Sequence, residues 1–369
     1  MNIGMMKSLD AGFGRLAASL MVRPGMKPKP FPINAILLIR PGGIGDAVHL
    51  IPAINAIKAA YPDAGIDILA EKRNSAIFRL STNVRHVFHY HRLAELFQVV
   101  RTSYDVVIDT EQWHRLSAVV ARLTRAPLLI GFGTNERARL FTHPIPYSQD
   151  DYEINSFFRL LEPLGIGRRE VSRPFLAVPK EAIEQGDRLL GEILGRAFVT
   201  IFPGASIPER QWGADKFGKV AQRLAVLGVA VVVVGGGDDK GQGEVIVAGR
   251  AGLNLAGRTS LSETAAVIQK SALLLSGDSG VLHIAVGLGV PTVSLFGPGR
   301  AGKWAPRGER HVVIDKGLPC SPCTTFGTTP PCPIAAQCMS DITADEVINA
   351  VTVLLAATGG LPPAWTETP

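Results

Sequence analysis

Short runs of valine, isoleucine and leucine alternate with helix-forming segments along most of the chain, and this alternation constrains the fold more than any other feature. Strands are predicted at 35–39, 66–69, 105–108 and 128–131, and a second series at 198–202, 229–234, 272–275 and 292–296. Helices are predicted at 47–60, 215–227, 262–270 and 281–288. Uninterrupted apolar strands are typical of parallel sheets that helices cover on both faces. The sequence therefore predicts an α/β protein with two Rossmann-like domains in tandem that face each other across a cleft.

The strand–helix rhythm loosens between residues 163 and 179, which indicates a domain boundary. We expect an N-terminal tail at 1–33, a first Rossmann-like domain at 34–175 and a second at 176–369 that ends in a C-terminal helix. The 369 residues, of which 46% are hydrophobic and 19% charged, suffice for two buried cores. Ligands of open α/β sheets bind beyond the carboxyl ends of the strands. Each domain is therefore expected to form one wall of a ligand site.

Composition and charge exclude several classes of protein. The most apolar stretch, 224–234, is shorter than the roughly 20 residues that a membrane span needs. No secretory signal is evident and all four cysteines lie within 320–338, which favours a reducing, cytoplasmic setting. Of the net charge of +6, residues 1–33 carry five basic residues against one acidic residue. The remainder lacks the spread basic surface of a nucleic-acid-binding protein.

The tail contains large apolar residues at helical spacing, namely Met6, Leu9, Phe13, Leu16 and Leu20. An amphipathic helix of this kind is typical of an in-plane membrane anchor that anionic lipids attract. The alternative is a helix that docks on the body of the protein or frays, and Gly12 and Gly14 favour it because glycine weakens helices.

A glycine-rich loop follows the first predicted strand and leads into the first helix. It reads Arg-Pro-Gly-Gly-Ile-Gly-Asp-Ala-Val-His at 40–49 and contains Gly42, Gly43, Gly45, Asp46 and His49. The third glycine of a dinucleotide fingerprint is missing, and the chain has no Walker A loop. Asp46 at a helix N-terminus is stabilised as an anion and can accept a proton from a hydroxyl group. The alternative role for this residue is a helix N-cap.

Two further loops follow strands of the second domain. In the first, Ser206 and Arg210 offer a hydroxyl and a guanidinium to a phosphate group. The alternative is a surface loop in which Trp212 caps the core. In the second, Asp278, Ser279 and Gly280 form an anion-binding helix start. His283 lies one turn further on and either faces the cleft or is a core histidine.

Together these motifs resemble glycosyltransferase family 9, the ADP-heptose:lipopolysaccharide heptosyltransferases. The resemblance extends over about 35–354. It is carried by Gly-Asp-x-x-His at 45–49, Pro-Gly-Ala-Ser at 203–206, Gly-Asp-Ser-Gly-x-x-His at 277–283, Phe-Gly-Pro at 296–298 and Cys-Ser-Pro-Cys at 320–323. The resemblance implies a GT-B type fold and an inverting transfer of heptose from ADP-heptose to the lipopolysaccharide core.

The resemblance also implies roles for individual residues. Asp46 is expected to be the general base, with Gly42, Gly43, Gly45 and His49 in the loop on the acceptor side. The donor is expected to contact Ser206, Arg210, Asp239, Asp278, Ser279, Gly280 and His283, with Asp239 at the ribose. Arg210 stands where family members often carry lysine. Independently of the resemblance, the loops at 73–142 belong to the wall formed by the first domain, so we expect its cations to meet anionic groups of the acceptor; these are Lys72, Arg73, Arg137 and Arg139.

The expected partners are a nucleotide sugar and a lipid-linked saccharide at the inner membrane surface, with no cofactor and no catalytic metal. The alternatives are another nucleotide-sugar donor in surface polysaccharide synthesis and a nucleotide-sugar-binding paralogue without turnover. Cys320, Cys323, Cys332 and Cys338 are compatible with structural zinc, but their spacing favours free or disulfide-paired cysteines.

Overall fold

The structure is a computed structural model that describes residues 10–25, 32–249 and 252–360. The chain divides into two compact units, unit 1 at 1–171 and unit 2 at 172–369. Each unit is built on one six-stranded sheet in which all neighbouring strands are parallel.

The sheet of unit 1 has the strand order β3-β2-β1-β4-β5-β6. Its strands are β1 (Ala35–Arg40), β2 (Gly65–Ala70), β3 (His86–His89), β4 (Val106–Asp109), β5 (Leu128–Phe132) and β6 (His143–Ile145). Its helices are α1 (Arg15–Leu20), α2 (Ile44–Ala60), α3 (Leu93–Arg101), α4 (Leu116–Leu123) and α5 (Glu153–Arg159). Short 3₁₀ helices occupy Ser75–Leu80, Glu136–Leu140 and Glu162–Leu164, and a π-helical turn, Asp10–Gly14, precedes α1.

The sheet of unit 2 has the strand order β12-β11-β10-β7-β8-β9. Its strands are β7 (Phe198–Phe202), β8 (Ala230–Val233), β9 (Gly252–Asn254), β10 (Leu273–Gly277), β11 (Thr292–Phe296) and β12 (His311–Asp315). Its helices are α6 (Lys180–Leu190), α7 (Ala214–Val226), α8 (Lys240–Val247), α9 (Leu261–Lys270), α10 (Gly280–Gly287), α11 (Ala301–Trp304), α12 (Gln337–Ser340) and α13 (Ala344–Ala357). Further 3₁₀ helices occupy Gly191–Ile193, Pro208–Arg210 and Gly237–Asp239.

Both sheets share one topology, because numbering the strands of each unit from its own first strand gives the order 3-2-1-4-5-6 in both. The central strands are almost fully buried, and their apolar side chains contact the flanking helices. The predicted α/β class with two Rossmann-like domains is therefore confirmed. In this topology the chain direction across the sheet reverses between β1 and β4 and between β7 and β10, and ligands of such sheets bind at that switch point.

The N-terminal segment packs on unit 1. Asp10 is 3% exposed, and its carboxylate accepts hydrogen bonds from the backbone N–H groups of Arg115 (2.7 Å) and Leu116 (2.8 Å) where α4 begins. Ala18 is fully buried in the core of unit 1. The docked helix that the sequence offered as one alternative is thus present, whereas Met6 and Leu9 lie outside the described residues. No helix in the described ranges is both long and apolar enough to cross a membrane.

Candidate functional site

The switch point of unit 1 holds a group of buried charged side chains. Arg40 ends β1 and is 1% exposed, and its guanidinium pairs with Glu111 at 3.2 Å just beyond the end of β4. It also donates to the carbonyl oxygen of Thr110 at 2.8 Å. Asn74 donates in turn to the carbonyl oxygen of Arg40 at 3.0 Å. Arg40 therefore links the two strands between which the sheet reverses.

Asp46 lies in the first turn of α2, beside this cluster. The helix begins at Ile44 with Gly43 as its N-cap, so the alternative in which Asp46 is the N-cap is wrong. Gly42 has φ +105°, and a β-carbon there would lie 3.0 Å from the guanidinium of Arg40, so glycine is required for the loop to pass this close. The glycines thus bring the start of α2 against Arg40.

The charges around Asp46 act on its pKa in opposite directions. Burial raises the pKa of Asp46 and the carboxylate of Glu111 raises it further, while Arg40, Arg73 and a hydrogen bond from Gln112 lower it. The net direction is upward from its ordinary value. A carboxylate with a raised pKa is a stronger base, and this is the property that a general base requires.

Gln112 connects the members of the cluster. Its side-chain oxygen accepts from Arg40 at 3.4 Å, and its amide nitrogen donates to Glu153 at 2.6 Å and to Asp46 at 3.5 Å. Glu153, on α5, is fully buried and also accepts from the hydroxyl of Tyr147 at 3.1 Å. Only one amide orientation satisfies these partners, because a carbonyl oxygen cannot donate to a carboxylate. Gln112 is therefore held in place and in turn faces Asp46.

Other predicted residues of unit 1 are buried in its interior. Arg137 is fully buried and pairs with Asp109. The expectation that it meets an anionic group of the acceptor is therefore wrong. His49 is 1% exposed, and its ring centroid lies 5.9 Å from that of Tyr152. Both residues contribute to the packing around the site.

The switch point of unit 2 joins two of the predicted donor-binding residues. Arg210 follows β7 and Asp278 follows β10, and the guanidinium lies 3.2 Å from the carboxylate. Arg210 also donates to the hydroxyl of Thr324 at 3.5 Å. Because the N–H of Asp278 already donates to the carbonyl oxygen of Leu295 at 3.1 Å, Asp278 orients Arg210 rather than offering its own N–H to an anion.

The start of α10 lies next to this ion pair. Ser279 is the N-cap and accepts from the N–H of Leu282 at 3.2 Å, and its hydroxyl lies 2.8 Å from that of Ser276. Gly280 and Val281 are the first helical residues, so their N–H groups have no acceptor within the helix. A helix start with a guanidinium beside it is suited to binding an anionic ligand.

The remaining predicted donor residues occupy three different environments. Ser206 is exposed in the loop after β7. Asp239 accepts from the N–H of Gly236 at 2.8 Å and so holds the loop after β8, and burial raises its pKa. His283 is 3% exposed inside α10, and burial lowers its pKa to about 4, so the ring is neutral near pH 7. Trp212 is buried and donates to the carbonyl oxygen of Ile342 at 2.9 Å, in agreement with the alternative in which it caps the core.

The four cysteines are free thiols, of which Cys320, Cys323 and Cys332 lie in the loop after β12 and Cys338 lies in α12. The N–H groups of Cys323 and Thr324 donate to the carbonyl oxygen of Pro298 at 3.1 and 3.0 Å. Burial raises the pKa of the thiols of Cys323 and Cys338. Across the part of the chain that the structure describes, no group of three or more histidine, cysteine, aspartate or glutamate side chains is arranged to hold a metal ion. The zinc alternative is therefore not supported.

Sequence reasoning missed Arg40, Glu111, Gln112 and Glu153. Arg40 ends one apolar strand, and Glu111 and Gln112 follow another within three residues; polar residues near the end of a buried strand are a usable signal for a site. Glu153 has no comparable signal, because α5 brings it to the site from a distant part of the sequence.

Comparisons with known proteins agree with this architecture. The sequence model of glycosyltransferase family 9 (heptosyltransferase) matches residues 93–332, about two thirds of the chain. Lipopolysaccharide heptosyltransferase 3 of Escherichia coli is 26% identical over 286 residues, which cover 71% of this chain and 83% of that protein.

Two solved structures from E. coli have the same fold. ADP-heptose lipopolysaccharide heptosyltransferase II superposes with a TM-score of 0.73 at 22% identity, over 88% of this chain and 99% of that chain. Heptosyltransferase WaaC with ADP-2-deoxy-2-fluoro heptose superposes with a TM-score of 0.67 at 17% identity, over 86% and 99%. The predicted GT-B type fold is confirmed by these likenesses.

Proposed function

This chain belongs to glycosyltransferase family 9 (heptosyltransferase), and from that premise we propose that it transfers a heptose from ADP-heptose to a lipid-linked lipopolysaccharide-core acceptor, with inversion at the anomeric carbon. The observation that carries the proposal is the position of Asp46, a carboxylate with a raised pKa at the switch point of unit 1. The names of the similar proteins support heptose as the sugar and ADP as the nucleotide.

Unit 1 is assigned the acceptor and the base. The acceptor hydroxyl attacks the anomeric carbon, its proton passes to the carboxylate of Asp46, and the bond from that carbon to the diphosphate oxygen breaks. Attack from the face opposite the leaving group inverts the anomeric centre. Gln112, itself hydrogen-bonded to Arg40, holds Asp46 in position, and the charge of Arg40 opposes the rise in the pKa of Asp46.

Unit 2 is assigned the donor. Arg210, oriented by Asp278, and the N–H groups at the start of α10 supply the positive charge that a departing diphosphate requires. Ser206 adds a hydroxyl from an exposed loop. These groups make the proposed transfer independent of a divalent metal, so turnover should persist when magnesium is chelated. We place the reaction on the cytoplasmic side of the inner membrane, where a lipid-linked acceptor is accessible.

The test is turnover of ADP-heptose by the purified full chain, followed as ADP release on a heptose-free lipopolysaccharide core. In Asp46→Asn the loss of the base should lower kcat by about 100-fold or more, while the affinity for ADP, measured by calorimetry, stays within about twofold because donor binding is assigned to unit 2. Asp63→Asn, which removes an exposed carboxylate of the same unit, is the matched control and should keep full activity.

The outcome also separates the alternatives. Tighter binding of UDP, GDP or CMP than of ADP would keep a glycosyltransferase but overturn the donor. Donor binding by the wild-type chain with no turnover on any core acceptor would favour the paralogue without activity. Full activity in Asp46→Asn would refute Asp46 as the base.

A further inference from the structure

Most of the large apolar side chains of helix α1 and the residues around it face solvent. The exposed fractions are 63% for Phe13, 57% for Leu16, 74% for Leu20 and 78% for Val22. These include the three described members of the apolar stripe that the sequence reveals. A stripe of this kind normally faces the core of a protein, so its outward position is unusual for a surface helix.

The opposite side of the segment makes the contacts with unit 1. Asp10 caps α4, Gly14 is buried and Ala18 is fully buried. These three residues are spaced four apart along the chain and lie on the side that contacts unit 1. Arg15 pairs with Glu136 at 3.0 Å and fixes the segment from its side. The segment is therefore docked through small and polar residues and the partly buried Met21, and docking leaves the apolar stripe available.

The surface next to the stripe is basic. Arg122 donates to the carbonyl oxygen of Val22 at 3.3 Å, and a pocket lies between Pro24–Gly25 and the arginines Arg122 and Arg125. No acidic residue occurs at 11–25 or at 113–128, the two segments that carry this surface. Leu123, at the end of α4, adds another apolar side chain that is 45% exposed.

We propose that this face is a docking surface for an anionic phospholipid bilayer. Its apolar members are Phe13, Leu16, Leu20, Val22 and Leu123, and its basic members are Arg23, Arg122 and Arg125; together we call them the α1 face. An outward apolar stripe enters the boundary between head groups and acyl chains, while neighbouring arginines meet lipid phosphates. The α1 face shares no residue with the proposed reaction, so the two proposals fail independently.

The experiment is co-sedimentation of the full chain with vesicles of phosphatidylglycerol and phosphatidylethanolamine, compared with vesicles of phosphatidylcholine alone. We expect binding to the anionic vesicles that falls as salt rises. Replacing the stripe in Phe13→Ser/Leu16→Ser/Leu20→Ser should lower the partition coefficient about tenfold or more. The matched control is Val226→Ser/Val353→Ser, which removes two equally exposed apolar side chains of unit 2 (63% and 60%) and should bind as the wild type does.

A charge variant tests the basic part of the face. Arg23→Gln/Arg125→Gln should weaken binding to anionic vesicles about fivefold for each arginine and leave the weak binding to phosphatidylcholine unchanged. Arg122 is not chosen, because its contact with Val22 helps to hold the segment. All variants should unfold at the wild-type temperature and turn over a lipid-free core saccharide at the wild-type rate, since the altered side chains are exposed.

Three results would overturn the proposal. The first is that the stripe variant binds anionic vesicles as well as the wild type does. The second is that the Val226/Val353 control loses as much binding as the stripe variant. The third is that sedimentation velocity shows a dimer for the wild type and a monomer for the stripe variant. The last result would mean that a second copy of the chain covers the α1 face.

Discussion

Removing the guanidinium of Arg40 should destabilise unit 1 more than removing any exposed arginine. Arg40 is 1% exposed, and it pairs with Glu111, which is itself 6% exposed. Burial lowers the pKa of Arg40, but the carboxylates of Asp46, Glu111 and Glu153 outweigh burial and leave that pKa above its ordinary value. In Arg40→Met these carboxylates remain in the interior without the cation that balances them.

The magnitude follows from the cost of an uncompensated buried charge. Breaking a buried pair from one side costs about 3–5 kcal/mol, which lowers the melting temperature of a unit of this size by about 10 °C. The control Arg159→Met breaks a pair with Asp151 in which both side chains are more than a third exposed, and it should cost less than about 1 kcal/mol.

The assay is thermal and urea unfolding of both variants and of Arg40→Met/Glu111→Gln. The double variant should regain about 1–2 kcal/mol, because glutamine removes the charge and still accepts the N–H groups of Trp113 and His114. Without Arg40 the carboxylates have raised pKa values, so the deficit should shrink as pH falls and they become protonated. A loss no larger than that of Arg159→Met, or a deficit independent of pH, would refute the reasoning.

Two further predictions concern unit 2. A β-carbon in Gly299→Ala would overlap the carboxylate of Asp278 and displace it from Arg210. The affinity for ADP, measured by calorimetry, should therefore fall about tenfold. In the control Gly302→Ala the added β-carbon meets nothing within 4 Å, so this variant should bind ADP as the wild type does. Equal affinities in the two variants would contradict the orienting role of Asp278. Burial lowers the pKa of His283 from 6.5 to about 4, so its contribution to stability is complete above pH 6.5 and is lost as pH falls towards 4. Between these limits the unfolding free energy should fall by about 3 kcal/mol more in the wild type than in His283→Asn, and parallel pH profiles would show that His283 does not titrate in this way.

The sequence predicts the buried strands well and the edge strands poorly. All eight predicted strands are present within a few residues, and the four that were not predicted, β3, β6, β9 and β12, are the edge strands of the two sheets. Their residues are mostly half-buried, whereas those of the central strands are mostly buried. A strand with one exposed side does not need a continuous apolar run, so it leaves a weaker signal in the sequence.

The candidate site divides in the same way. Asp46, Arg210 and Asp278 lie shortly after the ends of strands, in segments that neighbouring glycines mark, so the sequence alone singles them out as candidates. The contacts between these residues are not local in sequence. Arg210 and Asp278 are 68 positions apart, and Gln112 and Glu153 are 41 positions apart. Arg137 shows the reverse error, because a charge in a predicted loop is in fact fully buried against Asp109.

By itself the sequence determined the fold class and the doubled Rossmann-like topology and singled out the loops of the candidate site, because apolar runs, helical spacing and glycines act over a few neighbouring residues. Only the tertiary structure decided which charged groups are buried together and which face of α1 is exposed. Both depend on what surrounds a side chain in space. Burial changes the pKa of Asp46, and hydrogen bonds from distant residues orient Gln112. Docking through Asp10 and Ala18 leaves Phe13, Leu16 and Leu20 facing outward. Periodicity shows that a helix has an apolar face, but the contacts on its other side determine whether that face meets the core or the surroundings.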